Sequence, residues 1–122
     1  MNIEYVREYC LKKNGVTEGL PFGEDTLVFK VMGKMFALCN LVQADSLNLK
    51  CDPEYAEELR MQYPGEVRPG FHMNKKHWNT VSMIDTLSDR LILELIDHSY
   101  ELVVAKLKKA DREALAELES ES

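Results

Sequence analysis

Two apolar runs separated by a two-residue break constrain this chain more than any other feature. TLVFKVM (residues 26–32) and MFALCNL (residues 35–41) are rich in branched and aromatic side chains and read as strands. Gly33-Lys34 between them suits a two-residue hairpin turn with glycine at its first central position. So short a link can join only antiparallel neighbours. SLNLKC (residues 46–51) extends the sheet: Leu47, Leu49 and Cys51 alternate with Ser46, Asn48 and Lys50, the pattern of a half-buried strand.

Helical signals frame these strands. Asn2 is placed to cap a first helix whose Ile3, Val6 and Cys10 form one apolar stripe, and Asn14-Gly15 supplies its stop. Asp52-Pro53 opens a second helix, with Glu54, Glu57 and Glu58 near its positive end, and Pro64-Gly65 closes it after Tyr63. Extended segments are expected at 67–74 and 78–84, and a short further strand near 17–22. Ser88 caps a long helix with Ile92, Leu95, Ile96, Ser99, Leu102, Val103 and Leu107 along one side. Hairpins with segregated helices predict an α+β fold, an antiparallel sheet flanked by helices in a two-layer sandwich. Residues 1–109 form one expected domain, and 110–122 an acidic helical or frayed tail.

Composition narrows the function classes. The 122 residues hold one domain, and no run approaches the roughly 18 apolar residues of a membrane span. The start, MNIEYVREYC, has no apolar block of the kind a signal peptide needs. Cys10, Cys39 and Cys51 are odd in number and sit among apolar neighbours, so reduced core thiols in a cytoplasmic protein are expected. A net charge of −6 opposes unspecific binding to nucleic acid, yet residues 110–122 hold five acids and one Arg and so account for four of the six charges.

The densest polar cluster is His72, Asn74, Lys75, Lys76, His77 and Asn79, with Trp78 inside it. Lysine supplies point charge for phosphate, Asn and His can position or read, and an indole can stack on a base. Lys30 and Lys50 alternate onto the polar side of their strands, and Arg68 can join them there. The competing reading makes Lys75-Lys76 a solvated turn, with Trp78 in the core and Asn74 and Asn79 capping backbone.

The strings PFGEDTLVFKV, KMFAL, LKCDP, QYPGEVRPGFHMNKKHWNTV and IDHSYELVVAKL, in this order and spacing, resemble the MmcQ/YjbR family from about Gly15 to Leu107. The resemblance implies a sandwich similar to bacterial frataxin, the CyaY-like fold. It also implies kinship with the double-wing DNA-binding domain of a phage transcription factor. DNA binding is therefore the expected function, through Lys30, Lys50, Arg68, His72, Asn74, Lys75, Lys76, His77, Trp78 and Asn79. The alternative is a protein-interaction or small-ligand module using the same face. A frataxin-like iron ridge does not carry over, because only Glu4 and Glu8 stand on the first helix, alternating with basic residues.

No enzyme, cofactor or metal is expected. Asp97, His98 and Ser99 have the residue types of a catalytic triad but are consecutive on a helix, where neighbours diverge by about 100°. The histidines lack zinc-ligand spacing, and the glycines match no phosphate loop. A monomer with no membrane partner is expected.

Overall fold

The computed structural model describes residues 1–70 and 73–121. Asn2 accepts the Tyr5 N–H at the start of α1 (Ile3–Leu11), whose buried residues are Val6 and Cys10. Five of the six strands then run β1 (Val16–Gly19), β2 (Thr26–Val31), β3 (Lys34–Asn40), β4 (Ser46–Lys50) and, after α2, β5 (Val67–Pro69). The sixth, β6 (Trp78–Ser82), slots between β4 and β5 in a fully antiparallel sheet ordered β1-β2-β3-β4-β6-β5. Asp52 and Pro53 open α2 (Pro53–Gln62) as expected, and Ser88 caps α3 (Asp89–Ala105) through Leu91 N–H. The acidic tail forms α4 (Lys109–Glu121), which buries Leu115 in the main core beside Gly15 and Met32. The α+β sandwich expected from the sequence is the fold.

The hairpin turn differs from the expected one by a residue. Val31 pairs with Lys34, so Met32 and Gly33 form the two-residue loop, with φ of 49° and 83°. Two consecutive positive φ values make the mirror-image turn whose twist matches the strands, and Gly33 takes its second central position.

Cross-strand partners share a face, so the register sorts the sheet into two sides. One row, Leu27–Cys39–Leu47–Val81–Val67, belongs to the main core with Val6 of α1, Leu59 of α2 and Ile92, Leu95 and Ile96 of α3. The other side carries a small separate cluster, Val28, Leu38 and Trp78, with Met35 and Met73 against it and no helix residue. All described helices therefore draw their buried residues to one side.

β3 bulges at Phe36: Phe29 faces Ala37, but Lys30 faces Met35. The extra residue turns Phe36 into the core, edge-on to Tyr100 at 5.5 Å. Its carbonyl then has no strand partner, and the buried Ser99 hydroxyl donates to it at 2.5 Å while accepting the Lys50 N–H at 2.9 Å. Asp97, His98 and Ser99 point to three different elements. Asp97 accepts from Tyr9 (2.8 Å) and Lys13 (2.5 Å) at α1, and His98 Nε2 accepts the Asp52 N–H at the start of α2. They fasten α3 to its neighbours and do not bond to one another.

All three cysteines are free and buried. Burial, the leading cause in each case, pushes Cys10 up to about 12, and Cys39 and Cys51 up to about 11. Only thiolates attack disulfides readily. At pH 8 the native protein should therefore react with Ellman's reagent at least about 100-fold more slowly than the denatured chain. Rapid native labelling of any of the three would contradict this burial.

Candidate functional site

The strands segregate charge. Their residues include Lys30, Lys34, Lys50 and Arg68 but one carboxylate, Glu18. Glu18 pairs with Phe29 on the helix side and is held there by Arg7, at 2.6 and 2.7 Å. Arg7 also holds the Glu18 carboxyl below its ordinary range, chiefly through the hydrogen bonds. Among the described residues, the helix-free side thus has no acidic strand residue.

The register places the expected cations on that side. Lys30 lies opposite Met35 and Thr17, and Lys50 opposite Trp78, in one row near the hairpin end of the sheet. Arg68 lies opposite Thr80, which faces Asn48, in the next row. Lys30 and Lys50 are half-buried and Arg68 is exposed. Lys75 and Lys76 are exposed in the turn leading into β6, beyond Trp78. Among the described residues, none of these five cations enters an ion pair.

The turn is built from backbone bonds. Asn74 Oδ1 accepts the Lys76 N–H, and the Asn74 carbonyl accepts from His77 and Trp78 N–H. Asn74 is therefore occupied in shaping the turn, as the competing sequence reading had it. His77 is half-buried, and its carbonyl receives the Cys51 N–H at 2.8 Å. Arg60 of α2 grips the turn from the helix side, donating to Lys75 O (2.5 Å), Trp78 O (3.3 Å) and Asn79 Oδ1 (2.7 Å).

Two expected contacts change meaning. Asn79 follows Trp78 on the strand, so it points the opposite way, and it is 1% exposed under Arg60. It cannot reach a ligand on the helix-free side. Its Nδ2 finds no protein partner, and the adjoining cavity of about 10 Å³ has room for no ligand. Trp78 does face the helix-free side but is 8% exposed, packed with Val28, Leu38, Met35 and Met73. Gly70 lies beside it, donating its N–H to Trp78 O at 2.8 Å, so close that a Cβ there would lie 2.8 Å from Trp78 Cβ. The indole is a floor and offers no open stacking platform. His72, also expected at the site, lies outside the described residues.

Two further cations come to the same region. Lys34 and Lys106 join Lys50, Met35, Trp78 and Val103 around an open concavity of about 310 Å³. Burial, and then the neighbouring Lys106 charge, lowers the Lys50 pKa below its ordinary value. Nothing in the local sequence announces Lys106, which follows a helix 56 positions after Lys50. Helical spacing from Ser99 through Val103 is the one signal that aligns it, once Ser99 is known to touch the sheet.

Among the described residues, no group of three or more His, Cys, Asp or Glu is placed to hold a metal ion. No described helix is long and apolar enough to cross a membrane.

Comparison with known proteins gives one consistent answer. The YjbR family model matches residues 11–102. The uncharacterized protein YjbR of Escherichia coli is 35% identical over 119 residues, covering 97% of this chain and all of its own. The uncharacterized protein YbdF of Escherichia coli is 41% identical over 93 residues, 75% of either chain. The crystal structure of a Deinococcus radiodurans protein with a DUF419 domain superposes with a TM-score of 0.88 at 40% identity, covering 94% of this chain and 88% of that one. A Pseudomonas syringae crystal structure follows at a TM-score of 0.70 and 28% identity, over 84% of this chain and 98% of that one. Matched along three quarters of its length by the family model and along nearly all of it by YjbR itself, the chain belongs to the YjbR family.

Proposed function

We propose that this protein binds DNA through the helix-free side of its sheet, without catalysis. The carrying observation is the charge segregation: in a chain of net charge −6, one sheet side has, among the described residues, three cations outside any ion pair and no acidic strand residue. Lys30, Lys50 and Arg68 neutralise phosphates on that side, and Lys75 and Lys76 extend the track from the turn. Asn74 shapes the turn, and Arg60 anchors it. Phosphate contact of this kind is sequence-tolerant, because base edges are read by other groups. An asymmetric field also orients a polyanion toward one side of an acidic protein.

About four or five phosphate contacts give log affinity against log salt a slope near −4. Fluorescence anisotropy with a labelled duplex, from 50 to 200 mM salt, measures it. The double substitution Lys75→Glu with Lys76→Glu should abolish the binding. No binding at low salt, or an affinity indifferent to salt, rejects the reading. Retention of a neutral ligand or protein partner by the double variant would support an interaction module on the same face.

A further inference from the structure

We propose that the concavity between β3, β4 and the end of α3 is a phosphate-monoester site, formed by Lys34, Lys50 and Lys106 over an apolar floor. It deepens the DNA-binding reading and rests on it for the role of Lys50 alone.

The site follows from the bulge. Beyond the Ala37–Leu49 pair, β3 and β4 no longer pair, because the extra residue Phe36 shifts β3 and Ser99 takes up both the Phe36 carbonyl and the Lys50 N–H. The ends of the two strands thereby splay apart. Ser99, Val103 and Lys106 fall on one side of α3 by helical spacing, so the helix that plugs the ladder also presents Val103 and Lys106 to the opening. Lys34 enters from the hairpin end, Lys50 from the end of β4. Met35, Trp78 and Val103 complete the lining.

Three lysines therefore line one concavity with no carboxylate among the lining residues, and among the described residues none of the three enters an ion pair. Like charges brought together without a counter-charge repel, and an anion between them removes that repulsion. Burial first, and the Lys106 charge second, lower the Lys50 pKa, and a bound anion would oppose both. A phosphate monoester suits the opening better than a carboxylate does. It carries about −1.5 to −2 charge at pH 7 and three acceptor oxygens, enough for three lysine donors. The volume of about 310 Å³ also admits an attached organic group, which Met35, Trp78 and Val103 would cover. That group can belong to a free nucleotide or to the phosphorylated end of a strand.

Trp78 is the single tryptophan of the chain, so its fluorescence reports occupancy directly. AMP and adenosine are titrated as probes of a free nucleotide. A 5′-phosphorylated and a 5′-hydroxyl oligonucleotide of one sequence test the strand end. Phosphorylation should strengthen binding at least about tenfold in one pair or both, and the pair that responds identifies the source. Lys106→Gln and Lys34→Gln, both exposed and outside the set of five cations assigned to duplex phosphates, should each weaken it about tenfold. Lys12→Gln, at the C-cap of α1, should not. Equal binding of phosphorylated and unphosphorylated probes, or affinities within twofold in both lysine variants, overturns the inference. If duplex binding persists in that case, the DNA reading survives without it. Binding of AMP with no duplex binding would leave the phosphate site standing and remove the DNA reading.

Discussion

Replacing Lys30 and Lys50 together by glutamate should lower duplex affinity at least about 100-fold at 100 mM salt and reduce the salt slope by about 2. Each lysine removed deletes one released counterion, and each glutamate adds a repelled one. The two residues stand in one row of the sheet with Met35 between them and Trp78 beyond Lys50, so a single groove of the duplex would meet both. Lys12→Glu, at the C-cap of α1, makes half that change of charge on the far layer and is the control. Its effect should be less than about threefold, because at this ionic strength a charge on the far layer is largely screened. Equal losses in both variants would show that net charge alone governs association, and the helix-free side would lose its special standing.

Ser99→Ala should destabilise the fold by about 3 kcal/mol, although the side chain loses only one oxygen. The hydroxyl is fully buried and serves two backbone groups that the bulge has separated, the Phe36 carbonyl and the Lys50 N–H. With alanine both groups stay buried and unpaired, at about 1–3 kcal/mol each. The melting temperature should fall by roughly 10 °C, the urea midpoint should shift, and the dependence on urea should stay the same. Ser99→Thr keeps the hydroxyl and should recover part of the loss. A change below about 0.5 kcal/mol in Ser99→Ala would mean that the bulge re-pairs without the hydroxyl, and the origin given for the concavity would fall with it.

Much of this architecture is legible along the chain because its causes are local. Period-two alternation in SLNLKC puts Leu47 and Leu49 inward and Lys50 outward, and the register agrees. Asn2, Asp52 and Ser88 each cap the helix they precede. The hairpin turn was displaced by one residue because the pairing of Val31 with Lys34, set by strand contacts, outweighed the glycine preference for the first central position. Asn79 was misplaced for a different reason. A polar segment read as one cluster contains a strand, and a strand sends Trp78 and Asn79 to opposite sides.

The sequence by itself determined which side chains share a strand side, where helices begin, and that the thiols belong inside. These depend on alternation, capping and hydrophobicity over a few residues. Only the tertiary structure decided which sheet side the helices cover, that Phe36 bulges, and that Lys34, Lys50 and Lys106 meet. Those outcomes depend on α3 crossing β3 and β4, a contact between residues more than 60 positions apart. No short-range pattern encodes the distance between two lysines that a helix and a broken ladder bring together.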